Sequence, residues 1–253
     1  MPALDSSVTS PNRWGLLGTL CWSFLLAALF IVVQTVSALV YVAFAARRSS
    51  KFDFEEGLSR IQYDGDALSV ATFVSALVCL PAVVAIIKLK RGATLGDYMP
   101  MSIPPPAALF RWLALTVAFI AFCDALSFVL DRPVVPEFME KVYASSNSKP
   151  ALWAALLIGA PLFEEVFFRG FMLAGLVRSR IGVPGAVLAS SLAWAALHVQ
   201  YDLFDLSFVF LFGVMLGVAR WRTGSLVTTL VMHFAWNAEA TFETALVIGG
   251  AVS

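Results

Sequence analysis

Two adjacent carboxylates and one arginine lie within a strongly apolar stretch of this sequence, at Glu164, Glu165 and Arg169. Ionisable groups in such a setting are costly, and proteins keep them where a site needs them. Glu165 and Arg169 are four residues apart, so on a helix they share a face and can form an ion pair. This pairing would leave Glu164, which points about 100° away, as the carboxylate free for acid–base chemistry. A buried pair that only holds two helices in register would not explain Glu164.

The two histidines of the chain, His198 and His233, also lie in apolar segments. His198 follows Trp194 by four residues, and Asn237 follows His233 by the same spacing, so each pair shares a helical face. An imidazole and a carboxamide both donate hydrogen bonds, so His233 and Asn237 could together stabilise a developing oxyanion. Two simpler interpretations stay open. His198 could be a hydrogen-bonded core residue, and His233 with Asn237 could join two helices by hydrogen bonds.

The elements that position these residues must be membrane helices, as the composition indicates. The 253 residues are 60% hydrophobic and 13% charged, with a mean hydropathy of +0.84, whereas soluble domains carry about 25% charged residues. Because lipid leaves no water for unpaired backbone groups, the expected fold class is all-α. The formal net charge of zero argues against a nucleic-acid partner. The expected partners are the lipid bilayer and a protein or peptide substrate.

Apolar runs long enough to cross a bilayer predict a polytopic bundle of seven or eight transmembrane helices. The segment 241–253 is apolar but short, and we expect a tail or a short helix there. Pro161, one turn before Glu164, removes a backbone donor and frees a carbonyl, which predicts a kink. Polar loops are expected at 46–66, 88–107 and 131–149. The seven spans lie near 15–45, 67–87, 108–130, 151–177, 183–200, 205–220 and 224–238.

The basic residues at the span ends give an orientation for this bundle. Nine lysines and arginines border the face that carries the N-terminus, against seven on the opposite face. The positive-inside rule therefore favours a cytoplasmic N-terminus, with the candidate site opening on the other side. Asp124 is a further acid within the third span, and we expect it to form a hydrogen bond with a neighbouring helix.

Three patterns follow one another on successive predicted helices: Glu-Glu-x-x-x-Arg, aromatic-x-x-x-His and His-x-x-x-Asn. Together they resemble the family of type II CAAX prenyl endopeptidases and bacteriocin-processing enzymes, which usually has Phe where this chain has Trp194. Gly96-Asp97-Tyr98 also resembles a segment often found before the third helix of the family. The resemblance predicts a catalytic core at 151–240, preceded by three helices and their loops at 1–150 and followed by the tail at 241–253.

The resemblance implies an intramembrane endopeptidase that acts on membrane-associated or lipidated proteins and peptides. Glu164 and His198 would activate a water molecule for attack on the scissile carbonyl. His233 and Asn237 would stabilise the tetrahedral oxyanion. These four residues are the predicted catalytic set.

Glu165 and Arg169 would support that site or contact the substrate. The mechanism that we expect needs no cofactor. Some members of the family have been described as metalloproteases, so zinc held by Glu164, His198 and His233 is the alternative. Zinc proteases recognisable from sequence place both histidines on one helix, whereas His198 and His233 fall on different ones.

Two other classes of function remain as alternatives. One is a membrane protein without catalytic activity that confers bacteriocin immunity or scaffolds a partner. The other is a small transporter that uses a buried carboxylate as a proton relay, although the paired halves typical of such transporters are not evident. The compact chain, without targeting extensions, predicts a multi-pass protein of the bacterial inner membrane.

Overall fold

The computed structural model describes residues 12–48 and 54–250, and within these ranges the regular structure is helical, with no strand. This confirms the predicted all-α fold class. In chain order the helices are α1 (Leu16–Arg48), α2 (Phe54–Arg60), α3 (Gly65–Leu89), α4 (Leu95–Tyr98), α5 (Pro106–Val129), α6 (Glu137–Ser145), α7 (Lys149–Leu176), α8 (Gly182–Ala195), α9 (Leu203–Thr223) and α10 (Leu226–Ile248).

Seven of these helices coincide with the seven predicted spans. By length and composition, α1, α3, α5, α7 and α9 can each cross a membrane, so the chain is an integral membrane protein. α8 is apolar but has only 14 residues, which is about 21 Å of helix and shorter than a bilayer core. α10 continues to Ile248. Residues 241–248 therefore extend the seventh predicted span instead of forming a separate tail, and 251–253 lie outside the described residues.

The three segments predicted as polar loops contain the short helices α2, α4 and α6. Local capping explains α4, because the Thr94 hydroxyl accepts from the Asp97 backbone N–H while the Asp97 carboxylate accepts from the Thr94 N–H. α6 begins directly after Pro136. Prolines and polarity favoured loops at these places, and such short polar helices carry no apolar run that would reveal them.

α7 is the central helix of the bundle. Half of the residues in its most apolar 18-residue stretch are buried, whereas 17% to 39% are buried in the corresponding stretches of the other four candidate membrane helices. It contacts α1, α3, α8 and α10. α7 packs closely against α1 at Gly175. Only glycine fits there, because a β-carbon would lie 2.2 Å from the Thr19 hydroxyl oxygen. The residues of α7 are therefore where side chains from most of the other long helices meet.

The backbone of α7 widens into π turns on both sides of Pro161, at Ala155–Gly159 and Glu165–Met172. In the first of these, the N–H of Ala160 donates to the carbonyl of Ala155, five residues earlier. The irregularity predicted at Pro161 thus takes the form of widened turns. Such turns occur frequently at functional sites. Glu164 lies between these two turns, and Glu165 begins the second.

Candidate active site

The middle of α7 carries a fully buried ion pair between Glu165 and Arg169. Arg169 Nη1 donates to Glu165 Oε1 at 3.0 Å, and neither side chain is exposed. Arg169 Nη2 also donates to the carbonyl of Gly213 at 3.4 Å. The structure therefore contains the ion pair that the four-residue spacing predicts. Removing either partner would leave an uncompensated charge in the interior.

His233 enters from α10 and contacts both adjacent carboxylates of α7. Its Nδ1 is 2.9 Å from Glu165 Oε1, and its Nε2 is 3.8 Å from Glu164 Oε2. A carboxylate engaged in an ion pair only accepts hydrogen bonds, so Nδ1 carries the hydrogen and donates to Glu165. This contact fixes the ring and turns Nε2 toward Glu164. Two glutamates that point in different directions from α7 thus flank one imidazole.

The indole of Trp194, near the end of α8, connects these groups. Its Nε1–H donates to Glu164 Oε2 at 2.5 Å. Its ring lies edge-on to His198 and His233, with centroids 5.0 and 5.3 Å away, and the Arg169 guanidinium carbon lies 4.4 Å from the ring centroid. From the sequence, Trp194 was predicted only as the aromatic partner of His198. The available signal was an N–H donor at a position where the resembled family usually has Phe, which cannot donate.

His198 lies beyond the end of α8, because that helix ends at Ala195 and does not reach residue 200 as predicted. Its Nδ1 is 2.9 Å from the carbonyl of Trp194. A carbonyl only accepts, so Nδ1 donates and Nε2 remains an acceptor. The ring stacks on Tyr201, with centroids 6.2 Å apart. Within the described residues His198 makes no hydrogen bond to Glu164.

Asn237 has a partner that the spacing with His233 did not reveal. Its Nδ2 donates to the carbonyl of Leu156 at 2.8 Å. In the π turn of α7 each carbonyl is matched with the N–H five residues later, and for Leu156 that residue is Pro161, which has no N–H. Asn237 thus satisfies the carbonyl that Pro161 leaves free. A carboxamide nitrogen has two hydrogens, so a second donor remains.

A cavity of about 450 Å³ brings the four predicted catalytic residues together, since Glu164, His198, His233 and Asn237 all line it. Other parts of its wall come from α1, α3, α5 and α9, and it reaches α6 and the connection between α8 and α9. Glu165 and Arg169 are buried behind this wall. Their position favours the supporting role over contact with a substrate.

Besides Asp205 on α9, three acids that line the same cavity form a close group: Asp124 on α5, and Glu239 and Glu243 on α10. One oxygen of each lies within 4.8 Å of the others, so this set could hold a cation. Among the described residues Asp124 makes no hydrogen bond to another helix, contrary to the expectation. This group was not predicted from the sequence, because the seventh span was expected to end at residue 238.

The three residues predicted as zinc ligands do not form a close group of this kind. Glu164 Oε2 accepts from Trp194, while His198, whose Nδ1 donates to a backbone carbonyl, keeps Nε2 as a possible ligand atom. Within the described residues, Glu164, His198 and His233 are not among the sets close enough to share an ion. Zinc held by these three residues stays the alternative, and it would require their ligand atoms to move closer together.

The fold and site together define an integral membrane helix bundle with a buried glutamate–histidine centre, and part of this bundle is similar to known proteins. Residues 146–238 match the family model described as type II CAAX prenyl endopeptidase Rce1-like, which confirms the resemblance over that segment. An uncharacterized 24.3 kDa protein of Escherichia coli is 36% identical over 129 residues, which cover 48% of this chain and 58% of that relative. No solved structure matches the chain. All six predicted site residues lie within the matched segment.

Proposed function

We propose that this protein is an intramembrane endopeptidase that hydrolyses peptide bonds of membrane-associated or lipidated substrates. The observation that carries the proposal is the position of Glu164. Its carboxylate lines a cavity and lies 3.8 Å from His233 Nε2, while Trp194 holds one of its oxygens. A carboxylate held beside an imidazole on a cavity wall can remove a proton from water. The match of residues 146–238 to a peptidase family supports the same reaction.

The proposed reaction begins with a water molecule between Glu164 and the scissile carbonyl. Glu164 takes a proton as the water oxygen attacks, and His198 Nε2, also an acceptor at the cavity wall, helps to orient the water. The remaining N–H of Asn237 stabilises the oxyanion, together with the Nε2–H that His233 offers when both of its ring nitrogens are protonated. Glu164 then returns its proton to the leaving nitrogen, and the C–N bond of the tetrahedral intermediate breaks to give a carboxylic acid and an amine.

Glu165 and Arg169 act in this proposal through His233. Because Glu165 accepts from His233 Nδ1, it fixes the face that the imidazole presents to the cavity. Arg169 compensates the charge of Glu165 in the interior. The mechanism uses no metal ion, in keeping with the geometry of Glu164, His198 and His233.

Cleavage of a quenched peptide library by the purified protein tests the proposal. We expect Glu164→Gln to lower kcat by about a thousandfold, within the range of general-base catalysis, at an unchanged Tm. Glu137→Gln, which changes an exposed glutamate of α6, is the matched control and should cleave like the wild type. Equal cleavage by wild type and Glu164→Gln would refute the role of Glu164. Cleavage by neither would favour a function without catalysis.

Chelation decides between the two mechanisms in the same assay. We expect full activity after exhaustive dialysis against a chelator, since the proposed steps involve only side chains and water. Loss of activity on chelation, with recovery when zinc is added back, would replace the proposed mechanism by a zinc mechanism.

A further inference from the structure

A second, much smaller cavity of about 10 Å³ lies beside the start of α1 and the ends of α7 and α9. Three arginines line it, Arg13, Arg169 and Arg220, together with Leu173, Ala174, Val177 and Trp221. A cavity of this volume admits about one atom of the size of a water oxygen. Its wall therefore presents several positive charges to a space for a single small ligand atom.

Several N–H groups of the three guanidinium groups at this cavity have no acceptor. Within the described residues, seven buried side-chain nitrogen or oxygen atoms have no hydrogen-bond partner. Four of the seven are Nε of Arg13, Nε of Arg169, and Nε and Nη1 of Arg220. Buried donors are normally paired, and each orphan is costly. So many unpaired N–H groups at one small cavity indicate a missing acceptor.

The existing contacts of Arg13 and Arg220 do not compensate their charges. Arg220, only 2% exposed, donates through Nη2 to the carbonyl of Tyr98 at 3.2 Å. Arg13 Nη1 donates to the carbonyl of Ala174 at 3.2 Å. The described residues give neither arginine a salt bridge. Asp97, next to Tyr98, uses its carboxylate to cap α4 through Thr94.

The environment of Arg13 disfavours its positive charge, so a negative charge nearby would be stabilising. Burial lowers the pKa of Arg13, and the positive charge of Arg178 acts in the same direction, with Asp97 opposing both. Tyr98 lies between the two arginines, with its ring 5.8 Å from the Arg13 guanidinium carbon and its carbonyl bound to Arg220. The Gly96-Asp97-Tyr98 segment therefore has a structural role at this cavity. An anion placed here would offset the burial of two cations.

We propose that this cavity binds one anionic oxygen of a phosphate group, and that membrane lipid headgroups supply it. Arg13 stands three residues before α1, and α9 ends three residues after Arg220, so the cavity lies at the ends of membrane helices. Phosphate headgroups occupy that depth of a bilayer. The planar guanidinium of arginine can donate two parallel hydrogen bonds to the oxygens of a phosphate. Arg169 extends from this cavity to Glu165, so the bound group would contact the pair that supports His233.

Thermal unfolding of the full chain in detergent tests the site without reference to activity. We expect phosphatidylglycerol in the micelles to raise Tm by at least about 3 °C, because a ligand of the folded state stabilises it. Diacylglycerol with the same acyl chains has no phosphate and should not raise it. Inorganic phosphate at matched ionic strength tests a free ion. A rise with inorganic phosphate but not with phosphatidylglycerol would overturn the lipid assignment, and no rise with either would overturn the site.

Two substitutions assign the effect to the cavity. Arg220→Met removes an unpaired buried cation, so the lipid-free Tm should hold or rise while the response to phosphatidylglycerol is lost. Arg13→Gln should weaken the same response. Arg222→Gln changes an exposed arginine at the end of the same helix and should respond like the wild type. Retention of the full response in Arg220→Met would refute the proposal.

The chain has its own acid near Arg13 in sequence, Asp5, which lies outside the described residues. Asp5→Asn should leave the response to phosphatidylglycerol unchanged. If this variant instead lowered the lipid-free Tm and acquired a larger response, the chain itself would supply the anion and the lipid would be a substitute.

Discussion

At the scale of single residues, the side chain that distinguishes this site is Trp194. It donates to Glu164, stacks on Arg169 and packs edge-on against both histidines. A phenylalanine could supply the ring contacts but not the hydrogen bond. This chain has therefore placed a donor on the carboxylate that we propose as the base, and the donor limits the directions in which that carboxylate can point.

Trp194→Phe separates the two contributions of this side chain. We expect kcat to fall by roughly tenfold to a hundredfold with little change in KM, since a hydrogen bond to a charged group is worth about 1.5–3 kcal/mol. Peptide cleavage at saturating substrate measures this loss. Trp153→Phe on α7, which does not line the cavity, is the control. An unchanged kcat would show that the indole N–H does not position Glu164.

At the scale of elements, the π turn at Ala155–Gly159 explains the hydrogen bond between Asn237 and α7. Pro161 leaves the carbonyl of Leu156 without its backbone donor, and a side chain from α10 supplies one. The same carboxamide has a second hydrogen for the proposed oxyanion. One residue thus serves the backbone of α7 and the chemistry of the cavity, and the two uses can be measured separately.

The substitution Asn237→Ala, made alone and together with Pro161→Ala, separates the structural role of this side chain from its proposed catalytic role. Alone, we expect it to destabilise the protein by about 1–3 kcal/mol, because the Leu156 carbonyl loses its donor. Combined with Pro161→Ala, which restores a backbone N–H, most of the lost Tm should return. If the second hydrogen binds the oxyanion, kcat should stay about a hundredfold low in both backgrounds. Recovery of kcat together with Tm would leave Asn237 a purely structural role.

Local patterns were sufficient for some of these elements and insufficient for others. Hydropathy predicted the long helices, and the spacing of Glu165 and Arg169 predicted their ion pair, because both depend on neighbours along the chain. The contact of Glu164 with Trp194 joins residues 30 apart, and that of Glu165 with His233 joins residues 68 apart. Packing of helices decides such contacts. A single sequence could nominate the residues but not their partners.

At the scale of the whole molecule, the large cavity is built by most of the bundle. The site residues come from the segment that matches the peptidase family, whereas α1, α3 and α5 supply facing walls. The cavity extends toward α6 and the connection between α8 and α9, which lie on the face opposite Arg13 and Arg220. The division at residue 150 stays a prediction, and the cavity crosses it.

The side of the membrane that the cavity faces can be measured by thiol labelling. The basic residues predict a cytoplasmic N-terminal face, so Val199→Cys, 80% exposed beside His198, should react with an impermeant reagent outside intact cells. Arg91→Cys on the opposite face should react only after lysis. Both are made in a background with Cys21, Cys79 and Cys123 replaced by serine. The reverse labelling pattern would mean that the cavity opens to the cytoplasm.

The π turns of α7 also limit which changes in chain length this protein can accept. A turn closed between residues five apart contains one residue more than a turn closed between residues four apart. Deleting one residue between Ala155 and Gly159 would convert the π turn into a regular helical turn, so the residues after it would keep their faces. The same deletion in the regular stretch Ala160–Glu164 would rotate everything after it by about 100°. Glu164 and Glu165 would therefore still face α10 after the first deletion but not after the second. The π turn is thus a place where α7 can lose one residue without turning its two carboxylates away from α10.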